Sequence, residues 1–90
     1  MTLGPVGQQI LTKLGTAFAP LALEVRDESS LHHGHAGADP AGESHFRVRI
    51  VAEAFRAKSR VERHRMVNAI LAEELRNRVH ALAIEATAPK

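Results

Sequence analysis

Histidine is the residue type in this chain with the most chemistry to offer. Six of the 90 residues are His, and there is no Cys. Histidine is the commonest neutral metal ligand and titrates near pH ~6.5, whereas a chain without Cys cannot supply a thiolate to a nucleophilic step, a redox relay or a metal. The composition therefore favours an imidazole-centred function, in which any sulfur ligand would come from a partner. The main candidates are His80 and three clustered loop histidines, His32, His33 and His35.

Each of these histidines also has a structural interpretation. His80 alternates in step with Leu82 and Ile84, so the pattern alone favours a hydrogen-bonded, partly buried His over a ligand. The loop histidines could simply belong to a solvated polar loop, because a His-rich tract is weak evidence for a metal. We assign His45 and His64 to structure or to partner contact.

Signatures of catalysis are missing from the sequence. There is no Gly-x-Ser-x-Gly elbow, no phosphate-binding Gly-rich loop after a strand and no pair of acids at metal-binding spacing. We therefore expect no enzymatic activity and no small-molecule substrate.

The first half of the chain predicts a helix, a strand and a long loop. Apolar residues recur every three or four positions after Pro5, which indicates an amphipathic helix over Pro5–Ala17. Strict alternation then predicts a strand over Leu21–Arg26. Residues 27–43 are rich in Ser, His, Gly, Asp and Pro without periodicity, and we interpret them as a long, mobile loop that carries the loop histidines.

The second half predicts a strand, a helix and a strand. The strand Ser44–Ala52 has an apolar side and a wet side. Ser59 and Glu62 form a capping box that opens a main helix over Arg60–Leu75, and Val79–Ala86 is rich in branched and small apolar residues typical of a strand. Phe46, Val48 and Ile50 are expected on the apolar side of the strand Ser44–Ala52. The wet side carries His45, Arg47 and Arg49, and we expect Arg47 and Arg49 to face solvent or a partner.

This element order predicts the fold class. Helix, strand, strand, helix and strand give an α+β fold, with a mixed three-stranded sheet and its helices packed on one face. Ninety residues suit a single domain, residues 1–90. The longest apolar run, Phe18–Leu23, is far shorter than the ~20 residues that span a bilayer, so we expect no membrane association. No export signal is apparent, and we expect a cytoplasmic protein.

Several motifs resemble the BolA family. They are Glu43-Ser44-His45-Phe46-Arg47-Val48, Arg63-His64-Arg65-Met66-Val67, Leu71-Ala72-Glu73-Glu74-Leu75 and Val79-His80-Ala81-Leu82-Ala83-Ile84, in that order. The resemblance covers about Val6 to Thr87 and implies a fold similar to class II KH domains, in agreement with the element order. It also implies a partner, because BolA-like proteins pair with monothiol, CGFS-type glutaredoxins and share a [2Fe-2S] cluster with them and with glutathione.

The resemblance further implies which residues bind the cluster. The family's common His ligand falls on His80, and a second ligand comes from the loop between the first two strands. Counting forward from Glu28-Ser29 places that ligand at His32, whereas counting backward through Ala36 places it at His35, which we favour. Two imidazoles on one iron are compatible with a [2Fe-2S] cluster, as in Rieske centres.

DNA binding as a transcriptional regulator is the alternative function. KH-like folds commonly bind nucleic acid, and the entry to the main helix is basic. Against this, the connection Arg56-Ala57-Lys58-Ser59 lacks the Gly-x-x-Gly sequence with which KH domains clamp a backbone. Net charge is only +2, and three Phe are the only aromatic residues besides His. The candidate DNA contacts are Lys58, Arg60, Arg63 and Arg65, with Arg56, Arg47 and Arg49 as further cations.

Overall fold

A computed structural model describes residues 3–29 and 43–90. These residues form an α+β fold of the predicted class, with helices on one face of a mixed three-stranded sheet. The first helix and the first two strands lie within one or two residues of their predicted bounds. The elements are α1 Pro5–Phe18, β1 Ala22–Asp27, β2 His45–Val51, a short 3-10 helix Glu53–Phe55, α2 Arg60–Ile70, α3 Ala72–Asn77 and β3 Ala81–Thr87.

The sheet has β2 at its centre. β1 pairs with it antiparallel, and β3 pairs with it parallel on the other side. A parallel pair requires a crossover connection, which α2 and α3 supply. Core-facing residues are aligned across the strands, since Val48 lies opposite Val25 in β1 and Ile84 in β3.

The core lies between the sheet and the helices. The predicted alternation of β2 is confirmed on its apolar side, because Phe46, Val48 and Ile50 are buried. From α1, Ile10 and Leu14 are fully buried against them. Burying a side chain of this size contributes about 1.5–3 kcal/mol to stability. The opposite face of the sheet carries exposed charged residues, among them the ion pair Arg49–Glu85, with 3.4 Å between Nε and Oε2.

The predicted main helix is not continuous. Its start is confirmed, because the Ser59 hydroxyl accepts the Glu62 amide hydrogen and the Glu62 carboxylate accepts that of Ser59. The prediction of one helix through Leu75 was wrong, since Leu71 departs from helical geometry with φ −101° and ψ 17° and separates α2 from α3. Beyond this bend, Glu74 on α3 pairs with Lys13 on α1.

The third strand starts at Ala81, two residues later than predicted. The reason is the end of α3, where the Val79 amide donates to the Glu74 carbonyl at 2.8 Å. Val79 is thereby committed to closing the helix and is buried in the core. His80 consequently lies in the junction between α3 and β3 and not within the strand.

Candidate functional site

His80 presents its side chain to solvent from a fixed backbone. Its amide donates to the Ser44 carbonyl at 2.7 Å, and the amide of Ala81 donates to the same carbonyl at 3.1 Å. The preceding Val79 is buried, while the His80 side chain is exposed. The interpretation of His80 as a partly buried histidine is therefore wrong, because that residue precedes the strand that would have turned its side chain toward the helices.

His45 lies directly beside His80. The two imidazole centroids are 5.4 Å apart with their planes tilted by 48°. His45 Nδ1 lies 2.8 Å from the Ser44 hydroxyl, and the residue is only 8% exposed. The prediction that His45 lies on the wet side of its strand was wrong, because the start of β3 pairs with this end of β2 and brings His80 next to it. No local pattern in the sequence signals this pair, because the pair depends on the parallel register that aligns His45 with Ala81.

A cationic groove adjoins His80. Its walls come from the end of α3 and the junction to β3, and Arg76 and Arg78 are both exposed there. Guanidinium groups favour carboxylates as partners. The groove is thus suited to an acidic surface. Its lining residues are Ser44, Leu75, Arg76, Asn77, Arg78, Val79 and His80.

Buried and partly buried polar contacts join the two chain segments that border residues 30–42. The Asp27 carboxylate accepts the Glu43 amide at 3.1 Å, as well as the amide and hydroxyl of Ser29 at 2.9 and 2.6 Å. The Ser29 hydroxyl in turn accepts the Ser44 amide at 2.9 Å. Burial raises the pKa of Asp27, but the hydrogen bonds from Ser29 and Glu43, together with the nearby charge of His45, outweigh it and lower the pKa.

Glu43 also holds the start of α1. Gly4, the residue before the helix, has no side chain with which to cap it, and the Glu43 carboxylate accepts the Gly7 amide at 2.8 Å instead. A negative charge at a helix N-terminus is also favoured by the helix dipole. Glu43 reaches this position with a left-handed backbone, at φ 61°. The segment that enters β2 is therefore tied to both β1 and α1.

The predicted loop histidines, His32, His33 and His35, lie outside the described residues. The bordering residues Ser29 and Glu43 do lie near the site, because Ser29 is hydrogen-bonded to Ser44, which contacts both His45 and His80. Within residues 3–29 and 43–90, no group of three or more His, Asp or Glu side chains is placed to hold a metal ion.

The basic residues at the entry to α2 differ in their contacts and in the surface that they line. Lys58, Arg60 and His64 line a groove against the exposed edge of β3. Arg63 lines it too, but its guanidinium donates to the carbonyls of Lys58 and Ala86 at 3.0 and 3.1 Å, so it joins α2 to β3. Arg65 is exposed outside this groove. None of the helices in the described part of the chain has the length and hydropathy needed to cross a membrane.

Comparison with known proteins places these features in one family. The family model for BolA-like protein matches residues 14–90. Human BolA-like protein 1 is 51% identical over 87 residues, which are 97% of this chain and 61% of the human protein. The DNA-binding transcriptional regulator BolA of Escherichia coli is 46% identical over 79 residues, 88% of this chain and 71% of that protein.

The solved structures agree with the sequence matches. The BolA domain of SufE1 from Arabidopsis thaliana superposes with a TM-score of 0.89 at 44% identity, covering 98% of this chain and 96% of that domain. The chain spans about three fifths of the length of the BolA-like protein 1 relatives from human and Pongo abelii.

Proposed function

The chain belongs to the BolA-like protein family, and from that premise we propose that it is a non-enzymatic adaptor that binds a monothiol glutaredoxin. Together the two proteins would hold a [2Fe-2S] cluster, as cargo in iron–sulfur trafficking or in iron homeostasis. The observation that supports this best is His80, a solvent-exposed imidazole on a backbone fixed by the Ser44 carbonyl. The cationic groove beside it suits an acidic partner surface.

The donor chemistry of this chain fits half of the ligand set. A [2Fe-2S] cluster takes four ligands, and two of them can be imidazoles on one iron. In our proposal His80 provides one imidazole and His35 or His32 the other, while a glutaredoxin Cys and glutathione provide the sulfur that this chain lacks. The bordering residues Ser29 and Glu43 support a second ligand from residues 30–42, because both connect to the polar contacts around Ser44.

An anaerobic titration followed by visible circular dichroism tests the proposal. Cluster-loaded monothiol glutaredoxin is titrated with this protein, and a new visible spectrum that saturates at one to one is expected. His80→Ala should abolish that spectrum, whereas the matched control His64→Ala should retain it, because His64 lies in the α2 groove. His35→Ala and His32→Ala, made singly, identify the second ligand.

Two outcomes would contradict this assignment. An unchanged glutaredoxin spectrum with the wild-type chain overturns the cluster role. An unchanged new spectrum with His80→Ala overturns His80 as a ligand. Far-ultraviolet circular dichroism of each variant checks that the fold is intact, which we expect because the His80 side chain is exposed.

DNA binding is the second candidate, and one specific observation favours it. Lys58, Arg60 and His64 line a single groove against β3, and one relative that is 46% identical is named as a DNA-binding transcriptional regulator. The groove, and not the whole basic sequence, is the surface to test, because Arg63 is occupied by carbonyls of this chain.

Fluorescence anisotropy with a labelled duplex tests DNA binding at low salt. If the groove binds phosphates, Lys58→Ala with Arg60→Ala should weaken binding and reduce the slope of log affinity against log salt by roughly one per lost contact. Arg26→Ala is the control, since Arg26 is exposed on a different element, β1. Absence of wild-type binding at low salt would dismiss this function.

A further inference from the structure

Ser44 contacts both histidines of the site through different atoms. Its carbonyl accepts the backbone amide of His80 at 2.7 Å. Its hydroxyl lies 2.8 Å from Nδ1 of His45. One residue, itself only 2% exposed, thus fixes the backbone of the exposed histidine and the ring of the buried one.

The position of Ser44 is determined by the buried Ser29 and the partly buried Asp27. Its amide donates to the Ser29 hydroxyl at 2.9 Å, and the amide of His45 donates to the same oxygen at 3.2 Å. The Ser29 hydroxyl donates its own hydrogen to Asp27 Oδ1 at 2.6 Å. A hydroxyl that donates once and accepts twice uses its full hydrogen-bonding capacity, so Ser29 leaves Ser44 little freedom to shift.

The buried ring of His45 in turn limits where the exposed ring of His80 can lie. With the two centroids 5.4 Å apart, the His45 ring is in contact range of the His80 ring on one side. His45 cannot yield readily, because it is buried and its Nδ1 is held by Ser44. The exposed His80 imidazole therefore packs beside the His45 ring, whose orientation is fixed by the Ser44 hydroxyl.

We propose that Ser44 is a positioning residue that presents the His80 imidazole to the partner in a preset orientation, through its carbonyl and through the ring of His45. The effect of Ser44 on partner binding rests on the function proposed above, whereas its effect on the two imidazole rings does not. A side chain that is already oriented loses less freedom on binding. Loss of the Ser44 hydroxyl should therefore weaken glutaredoxin binding by on the order of threefold to tenfold.

The first experiment is imidazole nitrogen NMR of the isolated chain at one fixed pH. Ser44→Ala removes the hydroxyl but keeps the carbonyl, and it should move the Nδ1 resonance of His45 and change the ring signals of His80. Ser44→Thr, which keeps the hydroxyl, should restore them. Ser59→Ala is the matched control, because Ser59 is an exposed helix cap whose loss lowers stability without touching either ring. Unchanged ring signals in Ser44→Ala would overturn the proposal.

The second experiment measures partner binding with the same three variants. Ser44→Ala should bind cluster-loaded glutaredoxin more weakly and alter the visible circular dichroism of the shared cluster, while Ser44→Thr and Ser59→Ala should match the wild type. Equal affinity and spectrum for Ser44→Ala and wild type would refute the presenting role. If the wild-type chain gives no shared spectrum, the proposed function fails, and the NMR comparison still decides whether Ser44 positions the two rings.

Discussion

The ion pair between α1 and α3 should contribute measurably to stability. Lys13 Nζ lies 2.7 Å from Glu74 Oε2, and the Glu74 side chain is only 4% exposed. The second carboxylate oxygen, Oε1, has no hydrogen-bond partner among the described residues. Within the described part of the chain only Lys13 forms an ion pair with the Glu74 carboxylate, so Lys13→Met would leave that carboxylate buried without its counterion.

The size of this effect follows from the burial of the two partners. Removing one member of a fully buried pair costs about 3–5 kcal/mol. Lys13 is 31% exposed, so water screens part of the interaction, and we expect the free energy of unfolding to fall by about 2–3 kcal/mol. A domain of 90 residues has a total stability of roughly 5–13 kcal/mol, so the loss is large.

Urea unfolding followed by far-ultraviolet circular dichroism measures it, because the chain has neither Trp nor Tyr to report by fluorescence. With an m-value of ~1.5 kcal/mol per molar urea, Lys13→Met should lower the midpoint by about 1.3–2 M. Adding Glu74→Leu should restore most of the stability, since two apolar side chains can replace a buried pair. Lys58→Met, at an exposed lysine, is the control.

A change below about 0.5 kcal/mol in Lys13→Met, comparable to ordinary surface substitutions, would refute this reasoning. So would a double variant whose loss equals the sum of the two single losses, because that additivity would mean that the pair is not coupled.

Three further predictions concern other parts of the fold, and each is measured by the same urea titrations. Glu43→Ala should lower the free energy of unfolding by about 1–2 kcal/mol, because the Gly7 amide at the start of α1 loses its acceptor. Glu43→Gln should lower it less because the glutamine side chain keeps an acceptor oxygen, and equal losses for the two variants would exclude a capping role. The pKa of Asp27 lies below its ordinary 3.8 in the folded protein, so the unfolded chain takes up the proton at higher pH than the folded one, and stability should fall as the pH drops below ~4. Asp27→Asn should be less stable at neutral pH and lose less stability on acidification, and parallel curves of stability against pH for the two proteins would contradict this. Leu14→Ala should lower the free energy of unfolding by about 2–5 kcal/mol because Leu14 is fully buried. Leu21→Ala, at a residue 75% exposed, should change it by less than about 0.5 kcal/mol, and similar losses for the two variants would contradict the assignment of Leu14 to the core.

Local patterns in the sequence were sufficient for much of this fold. The alternation around Val48 predicted the buried side of β2, because side chains of a strand alternate between its faces whatever it pairs with. The capping box of Ser59 and Glu62 was predicted because both of its hydrogen bonds join residues three positions apart. Such features depend on near neighbours, and a single sequence contains all the information that they require.

The errors arose where distant residues decide the structure. Whether the strand begins at Val79 or at Ala81 depends on the end of α3, where the Glu74 carbonyl takes the Val79 amide. Burial of His45 depends on its parallel pairing with β3, 36 residues further along the chain. Neither contact produces a periodic pattern of apolar residues in the sequence, so the pair of His45 and His80 could not be predicted from residue spacing alone.

The motifs behind the family resemblance do not by themselves separate functional from structural residues. Arg63 belongs to such a motif and was a candidate DNA contact, yet its guanidinium donates hydrogen bonds to the carbonyls of Lys58 and Ala86. His80 belongs to another motif, and there the backbone is fixed while the imidazole remains exposed. A side chain bonded to its own chain has little to offer a partner, whereas an exposed one on a fixed backbone can bind at low entropic cost. This difference is the physical reason to test His80 before Arg63.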